Sequence, residues 1–167
     1  RGIGRYSLSL AQAIVRNRGD HEIFIALNGM FPQTIEPIRA AFCGQLPQEN
    51  ILVWHAPGPV RECEPGNKWR REAAERIREA FLSSLRPDMV FITSLFEGYE
   101  DDAVTSVAVF DQNMTTIVML YDLIPFQNPD QYLHSNPSYE QYYLRKMEHL
   151  KRARGWFTIS DFSANEG

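Results

Sequence analysis

Short apolar runs alternate along this chain with amphipathic segments, and that alternation restricts the fold more than any other feature of the sequence. The runs are Glu22–Leu27, Ile51–Trp54, Met89–Ile92, Thr116–Leu120 and Trp156–Ile159. Each is nearly continuous rather than alternating in polarity, the pattern of strands covered on both faces. Between them stand four segments with helical spacing. Tyr6, Leu10, Ala13 and Ile14 make an apolar stripe that Gly19 ends. Ile35, Ile38, Ala41 and Phe42 predict a short helix after Pro32. Lys68 to Leu85 carries Trp69, Ala73, Ile77, Ala80, Phe81 and Leu85 on one side and mixed charge on the other. The last helix begins at Asn136-Pro137, a cap followed by proline at the first helical position, and runs through Tyr139, Tyr143, Met147 and Leu150 to Gly155. Strands interleaved with helices mean βαβ units. The expected class is α/β: a Rossmann-like, mostly parallel sheet with helices on both faces.

Composition narrows the function. A chain of 167 residues, 44% of them hydrophobic, can bury roughly 70% of its unfolded surface without staples. A net charge of −4 argues against nucleic acid held by phosphate neutralisation. No apolar run approaches the ~18 residues of a membrane span. Cys43 and Cys63 form neither a zinc signature nor a disulfide framework, and the four histidines show no metal spacing, so no metal site is expected. Residue 1 is Arg rather than Met, and 161–167 read as a helix barely begun. Residues 1–167 are therefore expected to be one domain of a longer protein, cut at both ends.

In parallel sheets ligands gather at the carboxyl ends of the strands. Those ends carry Asn28-Gly29, His55 to Gly58, Ser94 to Asp102, Tyr121 to Pro129, and Ser160. Asp122 follows the run Thr116–Leu120, where it could orient a substrate hydroxyl or share a proton, or cap its own turn. Glu97, Glu100, Asp101 and Asp102 crowd one loop; they read either as acid–base groups or as a solvated acidic surface. Gly98 beside Glu97 would let the backbone approach a ligand. Gly2-Ile3-Gly4-Arg5-Tyr6 reads as a glycine turn opening a helix, suited to an anion or simply tight. It fails as a dinucleotide fingerprint, because Ser7 takes the third glycine position and no acid ends the next strand. Ser160 reads as a helix cap, and His55 alone among the histidines lies on the rim. Arg145, Lys146, Lys151, Arg152 and Arg154 gather near the end of the last helix, where the helix dipole favours them; contact with anionic lipid headgroups is a secondary reading.

In this order, Gly2-Ile3-Gly4-Arg5-Tyr6, Ser94-Leu95-Phe96-Glu97-Gly98, Tyr121-Asp122-Leu123-Ile124-Pro125 and Thr158-Ile159-Ser160-Asp161-Phe162-Ser163 resemble the N-terminal domain of a retaining GT-B glycosyltransferase of family 4 (group 1). The resemblance implies two Rossmann-like domains facing a cleft, this one holding the acceptor and an absent C-terminal one gripping the donor. It implies a hexosyltransferase, acting without a cofactor on a UDP- or GDP-linked nucleotide sugar and a glycan or lipid-linked acceptor, in the cytoplasm or at the cytoplasmic face of a membrane. Asp122 and Tyr121 would stand at the reaction centre, and Gly2, Gly4, Arg5, Glu97, Gly98 and Ser160 would line the substrates. Many members have His where this chain has Tyr121. The strand that should lead into Gly2 is missing, so either upstream residues that fill the gap or a defective sheet is expected, and the 167 residues alone are expected not to turn over. The rival readings are a non-catalytic Rossmann-like binding or receiver-type module, with His55 standing where a receiver needs its aspartate, and a nicotinamide oxidoreductase.

Overall fold

A computed structural model describes residues 2–159, which divide after Ala56 into two compact units. The first holds α1 (Gly2–Arg16), β1 (Ile25–Asn28), α2 (Pro32–Ala41) and β2 (Ile51–Trp54). β1 and β2 pair in parallel, in register from Ile25 opposite Ile51 to Asn28 opposite Trp54. Val15, Phe42, Leu46 and Ile51 are buried against one another, and Ala11, Ile25 and Ile38 close the cluster. The predicted stripe on α1 is therefore turned. Tyr6 and Ile14 are exposed, while Ala11 and Val15, four residues apart, form the packed face. The surface α1 meets is the end of α2, where Gln12 Nε2 donates to Ala41 O at 2.8 Å. That close approach favours small side chains over the large ones that set the predicted stripe.

The second unit holds α3 (Lys68–Ser84), β3 (Val90–Ile92), β4 (Thr116–Leu120), α4 (Ile124–Gln127), α5 (Pro129–Tyr132), α6 (Pro137–Arg152) and β5 (Gly155–Thr158). Its sheet runs β3-β4-β5, all parallel. β4 lies in the middle and is almost wholly buried, as a two-face-covered strand should be. β5, at the edge, breaks that expectation: Phe157 is 59% exposed. The core gathers Ile92, Leu95, Val107, Val118, Leu120 and Leu150. The α6 start is the one the sequence announces, with Asn136 Oδ1 accepting from Tyr139 N at 3.1 Å ahead of Pro137. The two short helices after β4 each carry a proline in the first turn, Pro125 and Pro129, and have no periodicity long enough to see in the sequence.

The protein is thus α/β with parallel strands. The described strands form two separate sheets, β1-β2 and β3-β4-β5, and strand ends differ from the sequence reading by up to three residues. α3 is rotated further from expectation than any other element. Trp69, expected inside, is 63% exposed, and the buried positions are Ala74, Glu75, Glu79 and Leu82.

Candidate functional site

The carboxyl ends of β3 and β4 are adjacent, and the predicted residues of the second unit meet there. Tyr121 OH donates to Thr93 O at 3.0 Å, tying the end of β4 to the end of β3. The phenol at this position thus has a structural bond where the resemblance expects an imidazole. Asp122 is exposed, and its Oδ1 accepts from Ile124 N at 3.2 Å. Asp122 thus shapes its own turn, and its carboxylate is exposed at a strand end.

The loop after β3 is tightly specified. Ser94 Oγ donates to Glu97 Oε1 at 2.7 Å, fixing the glutamate rotamer. Gly98 has φ +94°, and a Cβ there would lie 2.2 Å from Ala103 O, so both torsion and space demand glycine. The acidic loop is mostly structural. Asp101 Oδ1 accepts from Ala103 N at 2.9 Å, and Asp102 Oδ1 from Val60 N at 2.6 Å and Arg61 N at 3.2 Å. Glu97 is the half-buried carboxylate left facing the aromatic side chains of α6. Tyr99 and Tyr139 meet edge to face at 5.0 Å, and Tyr139 stacks on Tyr142 at 5.6 Å. Burial, then the Asp122 carboxylate, then Tyr99 push the Tyr139 phenol above its ordinary pKa. Tyr139 also packs against the cluster of Leu133, Tyr142 and Tyr143, as its place in the apolar stripe of α6 predicts.

The remaining predicted residues lie elsewhere. Gly2, Gly4 and Arg5 are in the first unit, where Gly2 to Tyr6 are part of helix α1 and not a turn. Neither glycine has a positive φ or a neighbour within 4 Å of an added Cβ, so nothing in the described structure requires glycine there. His55 is exposed at the end of β2, its ring packed over Gly29 so closely that a Cβ on Gly29 would lie 2.2 Å from Nδ1. Ser160 lies outside the described residues. Among those described, no group of three or more His, Cys, Asp or Glu could hold a metal ion, and no helix is long and apolar enough to cross a membrane.

A charged seam between α3 and α6 is the feature sequence reading missed most completely. Glu79, fully buried, accepts from Ser106 Oγ at 2.6 Å, Val109 N at 2.8 Å and Phe110 N at 2.6 Å. It thereby holds the segment leading into β4, where Ala108 has a φ of +55°. Arg145 grips both oxygens of Glu62 and donates to Glu75 Oε1 at 2.6 Å. Burial works against its charge, but the two carboxylates outweigh burial and raise its pKa. Arg145 also donates to His149 Nε2 at 3.0 Å. A guanidinium has only protons to offer, so Nε2 accepts, while Nδ1 lies 3.2 Å from Val107 N and 3.3 Å from Val107 O. Burial first, then the charges of Lys146 and Arg145, hold His149 down to about 4, keeping it neutral. Lys146, buried beside them, is held down to about 7 by burial and then by Arg145. Arg145 and Lys146 are thus partnered inside, which corrects their reading as surface cations answering the helix dipole. A cleft of about 230 Å³ opens over the seam, bordered by Arg71, Glu75, Arg145, His149 and Val109. Val109 precedes β4 and Asp122 follows it, so this cleft is not the strand-end site. One trace was legible: Glu75 and Glu79, like charges a turn apart, are unfavourable on a solvated face.

Comparison with known proteins places this geometry in a context. The chain is 32% identical over 167 residues to a protein of Escherichia coli described as serotype-specific mannosyltransferase WbdA, a match covering 99% of this chain and 20% of that protein. The chain is similar to mannosyltransferases. Two further Escherichia coli proteins of the same description are 31% and 30% identical over 158 residues. The chain spans about a fifth of the length of these relatives. No family model matches the sequence, and no solved structure matches it.

Proposed function

We propose that this chain is the acceptor-binding, N-terminal part of a retaining GT-B hexosyltransferase of the group 1 type, and that mannose, the sugar named in its relatives, is the sugar moved. The observation that carries the reading is the similarity to mannosyltransferases along 99% of the chain. The clustering of Tyr121-Asp122 and Ser94–Gly98 at adjacent parallel strand ends supports it, that being where such sheets bind ligands.

In this reading a UDP- or GDP-linked sugar is the donor and a glycan or lipid-linked hydroxyl the acceptor, at the cytoplasmic face of a membrane and without a cofactor. The bond from anomeric carbon to diphosphate breaks through an oxocarbenium-like transition state, and the acceptor oxygen forms the new bond while its proton passes to the leaving diphosphate. Charge builds on the leaving diphosphate, which free N–H groups at the first turn of α1, Gly2 to Arg5, would stabilise. The Asp122 carboxylate, with Tyr121 fixing its strand end, would orient the reacting sugar, and Glu97 with Gly98 would line the acceptor. The full-length protein that carries this chain, given nucleotide sugar and acceptor, should transfer hexose, and Asp122→Asn should lower kcat by ~10²-fold. The 167 residues alone should not turn over. Binding of NADH in place of a nucleotide sugar, or no transfer to any acceptor, would overturn the reading.

A further inference from the structure

Two neighbouring residues of α6, Arg145 and Lys146, each send a hydrogen-bonded relay into the loop after β3. In the first, Arg145 Nε donates to Glu62 Oε1 at 3.0 Å and its Nη2 to Glu62 Oε2. The backbone of that same segment then pairs with the loop: Glu62 N donates to Gly98 O at 3.0 Å and Cys63 N to Tyr99 O at 2.9 Å. In the second, Lys146 Nζ donates to Thr105 O at 2.8 Å and to Thr105 Oγ1 at 2.6 Å. Thr105 Oγ1 in turn donates to Leu95 O at 2.6 Å. Both relays therefore end on main-chain carbonyls that flank Glu97, at Leu95 and at Gly98-Tyr99.

We infer that Arg145 and Lys146 are positioning residues, which hold the Leu95–Tyr99 turn so that Glu97 faces substrate; the inference rests on the transferase reading above. The chemistry fits the task. A guanidinium fork fixes a carboxylate in angle as well as distance, so Glu62 cannot swing and its amide cannot leave Gly98 O. An amine in a dry interior keeps its bonds to Thr105 because no water competes for them. Arg145 is also anchored on α3 through Glu75, so the loop is referenced to two helices at once. Neither side chain reaches the strand-end rim itself, and neither is a catalytic residue.

The test uses the full-length protein and three variants: Arg145→Met, Arg145→Lys and Thr105→Val. The last keeps shape and removes only the second relay's hydroxyl. Hydrogen exchange, followed peptide by peptide, should quicken at least about tenfold at residues 60–63 in Arg145→Met. In Thr105→Val the quickening should fall at 95–99, and in neither variant should the amides of β4 change. Transfer kcat should fall about tenfold in Arg145→Met and Thr105→Val, acceptor KM should rise, and donor KM should hold; Arg145→Lys should lie between wild type and Arg145→Met. Should Arg145→Met fail to fold, Thr105→Val and Arg145→Lys decide. Wild-type exchange in these segments, or altered exchange with unchanged kinetics, overturns the positioning role. Wild-type protein that transfers no sugar overturns the function reading instead, and the exchange data still report whether the relays hold the loop.

Discussion

The two units reach stability by different chemistry. The first has a core of Val15, Phe42, Leu46 and Ile51, and Asn50 is its buried polar residue, with Nδ2 donating to Ile23 O at 3.0 Å. The second, beside an apolar core around β4, buries Glu75, Glu79, Lys146 and His149. Apolar packing is non-directional and tolerates small shifts, whereas hydrogen bonds in a dry interior fail as a group when one partner leaves. The difference matters because the charged seam sits in the unit that carries Asp122 and Glu97. Loops with long irregular paths, such as 94–115, need directional bonds to select one conformation, and Glu79 and Lys146 supply them.

Four measurements would break or sharpen this contrast. The largest effect is expected for Glu79→Ala, which strands the donors of Ser106, Val109 and Phe110. Urea unfolding should show a loss of ~3–5 kcal/mol, and a loss as small as that of a surface substitution would dismiss the seam as a stabilising device.

Next comes pH. Lys146 has a folded pKa of about 7 against ~10.5 for a free lysine, so between those values the unfolded chain binds more protons and stability should rise with pH. His149, at about 4 against ~6.5 free, should make stability fall as pH drops through that lower window. Across its full window each shift corresponds to on the order of 3–5 kcal/mol. Thermal unfolding followed against pH should show both rises, and Lys146→Met should remove the upper one and lessen the lower, since the Lys146 charge helps hold His149 down.

A third and smaller loss is expected for Gly98→Ala, at ~2 kcal/mol from the positive φ and the contact with Ala103 O, with hydrogen exchange quickening at 95–103. Unchanged stability and exchange would show that the loop has another conformation open to it. Smallest is Asn50→Ala in the first unit, at ~1 kcal/mol, since one neutral hydrogen bond is lost near the edge of an apolar cluster. A cost equal to that of Glu79→Ala would erase the distinction between the units.

Local patterns gave the elements. Near-continuous apolar runs announced β2 and β4, and Asn136-Pro137 announced the start of α6, because strand burial and helix capping act within a few residues of the chain. The strand-end loops were legible too: Tyr121, Asp122, Glu97 and Gly98 follow β3 and β4 and converge because neighbouring parallel strands present their carboxyl ends together. The fold alone set which faces of α1 and α3 go inside, while the stripes read on α2 and α6 are the buried ones. On α3 a stripe of large apolar residues predicted one face, and the structure buries Glu75 and Glu79 instead, since their hydrogen-bond partners at 106, 109, 110 and 145 are far away in sequence. Nothing local in Lys146 or His149 distinguishes a buried, neutralised base from a surface cation at a helix end. That distinction is made by desolvation and by partners that only the folded chain assembles, so charge in this protein can be counted from the sequence and located only from the fold.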